Sequence, residues 1–374
     1  MKKKVLQVTG ALNVGGLEIV AKNYYKYIDK TKYDFVYLAW KKEKNDLEQE
    51  ILDMGAKVIY IDSPQNDYIK FYKDIIRVLE EHGPFDIVHS HMLFTSGWFM
   101  KAAYKMGVPI RIAHSHNSQR AVKNSFFKKI YIKLMRFYLK KYANRIIGVN
   151  QIAGEALIGR SEFQRKGIVL ENGIQLSEYK FNEDTRQKTR ERLSVSKDDI
   201  LLGNVARVTK VKNQEFILDI TKVLAEVSSK YKVIIIGEGD LEEELKRKAH
   251  TLNIEKNILF LGLQTNISDY LQAMDIFLLP SLHEGAPLSL IEAQASKLPC
   301  ITSDRVPDDT KLTENLMSLP INEGTEIWVD HILSLKLNNR DSRNISSLLE
   351  SDYNIEISIQ KLEKIYSRNK LELK

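Results

Sequence analysis

The chain has 374 residues, 43% of them hydrophobic and 28% charged, with a formal net charge of +7. That length exceeds what a single core serves and implies about two domains, and the composition excludes a disordered or fibrous chain. The lone cysteine, Cys300, excludes an intramolecular disulfide; it fits a reducing compartment, and within Leu298-Pro299-Cys300-Ile301 it reads as a core residue and not a nucleophile.

Met1-Lys2-Lys3-Lys4 opens like a signal peptide, but the apolar run that follows spans only 5–8. No later stretch reaches the ~18 apolar residues a span requires, so a cytoplasmic protein that does not cross a membrane is expected. Strands are predicted at 5–8, 35–39, 57–61, 87–90, 110–113, 146–149 and 168–170, with helices between them such as 17–27 and 68–81. Alternation of this kind implies a doubly wound parallel sheet. Segment 9–16 carries Gly15 and Gly16 just ahead of a helix, and a glycine pair lets backbone approach a ligand closely. Neither this pair nor Gly237-Glu238-Gly239 completes a dinucleotide fingerprint or a Walker loop, which counts against oxidoreductase and P-loop readings.

His89 and His91, then His114 and His116 in Arg111-Ile112-Ala113-His114-Ser115-His116-Asn117, lie two apart on strands and so point the same way. No Cys or carboxylate stands near them in sequence, so metal is discounted in favour of a histidine that hydrogen-bonds a substrate or acts as a base. Between Asp86 and Glu155 there is no acidic residue, while Lys101, Lys105, Arg111, Arg120, Lys123, Lys128, Lys129, Lys133, Arg136, Lys140, Lys141 and Arg145 are basic. Within this stretch 125–143 reads as a helix with Phe126, Phe127, Ile130, Leu134, Phe137 and Tyr138 at helical spacing. Core packing is expected to use most of these apolar residues. The one-sided charge suits an anionic membrane surface, ahead of nucleic acid, for which no motif is present.

After a polar, charge-rich stretch, 175–199, a second series of strands follows at 201–205, 233–236, 258–261, 276–279 and 300–302, separated by helices such as 214–227 and 241–252. The boundary falls near Asn172-Gly173, giving domains 1–171 and 172–354, with an apolar-striped final helix over about 355–374 expected to pack back on the first domain. Arg207 and Lys212 lie just beyond the strand 201–205, where a guanidinium and an ammonium could neutralise a diphosphate, whereas Lys210 reads as solvated. The richest segment is 281–296. Glu284 stands in a loop after a buried strand, Pro287 fits the first helical position, and Glu292 falls about a turn into the helix. N–H groups at Ala286 and Leu288, with the helix dipole, would attract phosphate oxygens.

The run Glu284-Gly285-Ala286-Pro287-Leu288-Ser289-Leu290-Ile291-Glu292-Ala293, with Arg207 and Lys212 upstream and Asn172-Gly173-Ile174 at the junction, resembles the family 4 retaining glycosyltransferases. Arg111 to Asn117 and Ile301-Thr302-Ser303-Asp304 further resemble the bacterial capsular and exopolysaccharide branch. The resemblance implies a GT-B fold, two Rossmann-like doubly wound domains facing a central cleft. It implies that Glu284 contacts the donor sugar and Glu292 holds the ribose hydroxyls. Arg207, Lys212, Gly15, Gly16 and the backbone of Gly285, Ala286 and Leu288 would bind the diphosphate. His114, with His116 as the alternative, would lie near the reacting sugar. The donor would be a UDP-sugar, the acceptor a lipid-linked saccharide, and no metal or other cofactor would be required, in keeping with the missing D-x-D triplet. Ala286 stands where the family often has an aromatic, and Lys297 where it often has glycine. Two other readings compete: a nucleotide-sugar epimerase of the same fold, which needs no acceptor, and a non-catalytic protein that uses only the basic patch, for which the Glu284 turn would have no purpose.

Overall fold

The computed structural model describes all residues except 1, 13–15, 42–45, 66, 117–125, 338–339, 341–342 and 368–374. The chain divides into two compact units, one comprising 1–173 and 355–374 and the other 174–354. In unit 1 the strands are β1 Lys3–Ala11, β2 Tyr33–Lys41, β3 Lys57–Tyr60, β4 Ile87–Ser90, β5 Ile110–Ser115, β6 Arg145–Gly148 and β7 Gly167–Val169. They form one sheet in the order β3-β2-β1-β4-β5-β6-β7, parallel throughout. In unit 2 the strands are β8 Ile200–Val205, β9 Tyr231–Ile236, β10 Ile258–Phe260, β11 Ile276–Leu279, β12 Cys300–Ser303 and β13 Leu316–Leu319. Their order is β10-β9-β8-β11-β12-β13, again all parallel.

In both sheets the chain works outward on one side of its first strand and then jumps to the other side. The reversal lies between β1 and β4 in unit 1 and between β8 and β11 in unit 2, and ligands of open α/β sheets bind beyond the carboxyl ends of such a pair. Continuous apolar runs explain why these strands are central. Ile276, Phe277, Leu278 and Leu279 are all fully buried, with helices covering both faces.

Local chemistry sets the helix ends. Asp67 accepts from the N–H groups of Ile69 and Lys70 to start the helix Tyr68–Glu81, and Asn150 accepts from Ala153 to start Gln151–Ile158. The polar stretch 175–199 is in part a helix, Glu183–Arg192, capped by Asn182. It carries no apolar stripe. Arg186 and Arg190 anchor it instead, pairing with Asp275 at 2.5 and 3.1 Å just before β11, and Arg190 also donates to the carbonyls of Ser196 and Asp199.

The final helix, Ile355–Ser367, buries Ile355, Ile359, Leu362, Ile365 and Tyr366 against unit 1. The Lys3 ammonium donates to the Tyr366 carbonyl at 3.0 Å, and Ser358 Oγ to the Glu171 carbonyl at 3.2 Å. Cys300 is buried, and burial pushes its thiol up, as befits a core residue.

Candidate active site

At the carboxyl edge of unit 2 the loops after β8 and β11 are tied together. The Val211 carbonyl accepts from the Leu282 N–H at 2.8 Å, and Asn213 Nδ2 donates to the Pro280 carbonyl at 3.1 Å. Between these ties the Lys212 ammonium reaches both oxygens of Glu284, at 2.7 and 2.8 Å, and Ser281 Oγ donates to Oε1 at 2.6 Å. Glu284 is only 8% exposed. A buried carboxylate needs such a partner, since desolvation penalises it otherwise. Lys212, expected to serve a diphosphate, is here first the counter-charge of Glu284, and a third ammonium proton is left for another acceptor. Arg207 is exposed and makes no ion pair among the described residues, so its five N–H donors face solvent. Lys210 is exposed as well.

The loop carrying Arg207 is braced by the loop after β9. Val208 donates to the Glu238 carbonyl at 2.9 Å. A Cβ on Gly237, whose φ is +129°, would lie 2.1 Å from the Ala206 carbonyl oxygen, and one on Gly239 would lie 2.0 Å from that of Val208. The Gly-Glu-Gly signal therefore reports two backbones in close approach, a support for the site that the sequence showed only as an incomplete fingerprint.

The helix after Glu284 runs Leu288–Ala295. Pro287, expected at its first position, instead precedes it with extended backbone (φ −73°, ψ 99°), and no side chain caps this end. The orphan donors of the first turn, Leu288 among them, are thus open to an anion. Gly285 and Ala286 are partly exposed in the turn just before. Glu292 lies on the second turn and is not a freely solvated surface charge. Burial raises its carboxyl to about 7, a hydrogen bond with Tyr179 opposes the rise, and the Glu178 charge adds to it.

In unit 1, Gly16 opens the helix Gly16–Tyr27, while Gly15 lies outside the described residues. A Cβ at Gly16 would meet nothing within 4 Å, so packing does not demand the glycine. The histidine pairs meet because β4 and β5 are neighbours, with His89 level with Ile112. His89, His91 and His114 are buried. His116 is partly exposed, and its ring stacks on that of His114 with centroids 4.1 Å apart. Burial holds His89 at about 3 and His116 at about 4, with His91 and His114 well below the ordinary imidazole range, so all four are neutral near pH 7. Asn172, beside His116, acts against its shift. The ring nitrogens of His89, His91 and His114 lie within 4.8 Å of one another, a set that could hold a metal ion. The ground for discounting metal, an incomplete ligand set along the sequence, therefore does not survive the pairing of β4 with β5.

The predicted basic helix is Phe126–Tyr142, and Ser125 lies outside the described residues. Of its apolar residues only Met135 and Leu139 are buried. Phe126, Phe127 and Phe137 are 72%, 80% and 54% exposed, and Ile130 and Leu134 are exposed too, so core packing does not use this stripe. Several cations are used internally. Arg111 donates to the carbonyls of Tyr142 and Val108, Arg136 to those of Leu157 and Ala156, and Arg145 is buried. Lys128, Lys129, Lys133, Lys140 and Lys141 remain on the exposed surface. Among the described residues no helix is long and apolar enough to cross a membrane.

Two parallel sheets with this strand order and interleaved helices define a GT-B fold. The family Glycosyltransferase Family 4 matches residues 14–178 and Glycosyl transferases group 1 matches 185–313. The protein named as glycosyltransferase EpsF of Bacillus subtilis is 30% identical over 371 residues, covering 98% of this chain and 97% of its own. The Escherichia coli UDP-Gal:alpha-D-GlcNAc-diphosphoundecaprenol alpha-1,3-galactosyltransferase is 26% identical, with 98% and 97% covered. The solved structure of Anabaena HepE in complex with UDP and glucose shares the fold at a TM-score of 0.81 and 16% identity, over 98% of this chain and 100% of that one. The chain belongs to the family 4, group 1 glycosyltransferases, within the bacterial polysaccharide branch, and is a glycosyltransferase.

Proposed function

We propose that this enzyme moves a sugar from a UDP-sugar to a hydroxyl of a lipid-linked saccharide in surface polysaccharide synthesis, with retention of anomeric configuration and without a bound metal. The observation that carries the reading is the charged edge of unit 2, where Arg207 and the Lys212–Glu284 pair flank an uncapped helix start. As the anomeric bond breaks, negative charge grows on the leaving diphosphate. Arg207, the remaining Lys212 proton and the N–H groups from Ala286 to Leu288 would stabilise that charge most at the transition state. Glu284 has its oxygens engaged by Lys212 and Ser281, so it serves as a fixed acceptor for donor-sugar hydroxyls and not as a covalent nucleophile. Glu292 would accept the ribose hydroxyls. The open space beside Gly16 suits close approach of a ligand, and His114, with His116 stacked on it, would face the reacting sugar.

UDP as the nucleotide is supported by the relative whose name specifies UDP-Gal and by the HepE complex with UDP. A lipid-linked acceptor is supported by the diphosphoundecaprenol in that relative's name. The exposed Phe126, Phe127, Ile130 and Phe137, beside surface lysines, suit an anionic membrane at its inner face, each lysine adding about 1 kcal/mol near the surface. Replacing Lys128, Lys129, Lys133, Lys140 and Lys141 with Glu should abolish binding to anionic vesicles, and unchanged binding would remove the membrane from the reading. Incubation with a UDP-sugar panel in EDTA, with and without a polyprenyl-diphosphate saccharide, tests the whole. Product only with acceptor present is expected. Conversion of the donor alone would indicate an epimerase.

A further inference from the structure

In the helix Leu288–Ala295 the residues Leu288, Ile291, Glu292 and Ala295 recur at the three- and four-residue steps that place side chains on one helix face. Three of them are apolar. Ile291 and Ala295 are buried in a small core with Ile174, Leu348 and Tyr353, and Leu288, Leu176 and Tyr179 pack against it. The stripe is therefore covered by the segment that opens unit 2, and Glu292 is the carboxylate that falls on it.

The covering segment is a single 3-10 turn, Leu176–Tyr179, and it is tied down on both sides. The Ile174 N–H donates to the Tyr353 carbonyl at 2.8 Å, and the Asn182 N–H to Gln272 Oε1 at 2.8 Å. The Glu178 N–H closes the turn on the Gln175 carbonyl at 3.1 Å. A turn fixed in this way leaves its last residue little freedom, and Tyr179 lays its ring on the small core while its hydroxyl hydrogen-bonds the Glu292 carboxyl. Burial, the largest influence on that carboxyl, disfavours the anion; the phenol O–H favours it; and the exposed Glu178, the charged group acting on it, disfavours it. A carboxylate accepts at about four lone-pair sites, and one phenol uses one of them.

We propose that Tyr179 is a positioning residue for nucleotide binding, its hydroxyl holding the Glu292 carboxylate in place to accept the two ribose hydroxyls of the donor. A ribose diol presents two O–H donors side by side, and a carboxylate accepts from both; a protonated carboxyl spends one oxygen as a donor. The neighbours of Glu292 on its own helix face are apolar and offer no such O–H. The acceptor thus comes from the helix, and the group that orients it from the turn just after the junction. The ribose rests on the function proposed above; the bond between Tyr179 and Glu292 does not.

Two readouts separate these claims. Carbon-13 spectra of the full-length protein labelled at its glutamate carboxyls, with Glu292 identified by its loss in Glu292→Gln, follow the bond without any nucleotide. In the wild type the Glu292 signal should titrate near 7. Tyr179→Phe keeps the ring and removes the O–H, so the midpoint should rise. A purely packing role for Tyr179 predicts no rise, since any loosening would admit water and lower the midpoint; a melting curve shows that the variant is folded. Calorimetry with UDP and 2′,3′-dideoxy-UDP, below and above the midpoint, reads the ribose, and the ratio of the two affinities cancels the titration of the diphosphate itself. Above the midpoint the wild type should favour UDP about tenfold or more, the scale of a hydrogen bond to a charged group, with less preference below it. Tyr179→Phe should lose most of that preference. A midpoint that stays or falls in Tyr179→Phe, or an unchanged preference for UDP, would overturn the proposal. If the midpoint rises but the wild type binds both nucleotides equally, the bond stands and its ribose role is overturned. If neither nucleotide binds, the ribose role falls together with the function proposed above.

Discussion

The two switch points share one strand order and differ in electrostatics. Beside the first, at the ends of β4 and β5, the polar groups are histidine rings hydrogen-bonded to one another, and burial keeps them neutral. Between β8 and β11 they are charges: Arg207 facing solvent, Lys212 locked on Glu284, and a helix start without a cap. On the proposed function, the same backbone architecture would serve two kinds of ligand group. A departing diphosphate needs cations and oriented N–H groups, while sugar hydroxyls need uncharged donors and acceptors. On that reading no histidine need be protonated for the leaving group.

The largest expected effect breaks the charged edge. Glu284→Ala should cut transfer by on the order of 10²–10³-fold, as loss of one preorganised polar contact does in other enzymes, and it leaves Lys212 without its counter-charge. Near-normal turnover in a product assay would remove the residue from the site. Arg207→Ala comes next, with UDP affinity reduced about tenfold to a hundredfold, the range of one charge-assisted contact. Titration calorimetry at two salt concentrations reads it, and the variant should also lose part of the salt dependence.

Glycines sharpen the comparison. Gly237→Ala forces a Cβ against the Ala206 carbonyl and should lower stability by about 1–3 kcal/mol while loosening the Arg207 loop. Gly16→Ala meets open space, so its stability should stay within about 0.5 kcal/mol of wild type while donor binding weakens. Equal thermal shifts in the two variants would contradict this division.

A further contrast is in pH, where the two edges should respond with opposite sign. His89 and His116 titrate near 3 and 4 when folded and near 6.5 when unfolded. The native state therefore binds fewer protons in that window, and stability falls as pH drops through 6.5 towards 4. Glu292 is raised from 4.5 to about 7. The native state then binds more protons between those values, so its contribution falls as pH rises through them. Melting curves of Glu292→Gln should lose the second trend and keep the first, and a wild-type pH slope in that variant would contradict the assignment.

Much of the architecture was legible because strand and helix carry their own period. The strands Ile87–Ser90 and Ile276–Leu279 and the helices Tyr68–Glu81 and Gln214–Val227 fall where apolar spacing places them. β13 escaped notice because Leu316-Met317-Ser318-Leu319 is short, lacks β-branched residues and is only partly buried at a sheet edge. The helix Glu183–Arg192 escaped because it has no apolar stripe; Asn182 followed by Glu183 and Asp184 was the available signal. Within the site, motif context located Glu284 and Arg207, but the bond from Lys212 to Glu284 spans 72 positions. Likewise the meeting of two histidine pairs depends on β4 lying beside β5, a fact of topology that no local pattern carries.

The most direct test of the charged edge of unit 2 as a nucleotide-sugar site is UDP binding in EDTA, measured by thermal shift and calorimetry on the wild type and Arg207→Ala, with GDP, ADP and CMP as controls. Selective stabilisation of the wild type by UDP, indifferent to EDTA and weakened about tenfold or more in Arg207→Ala, is the predicted result. Absence of binding to any nucleotide, or equal UDP affinity in the two proteins, would contradict it.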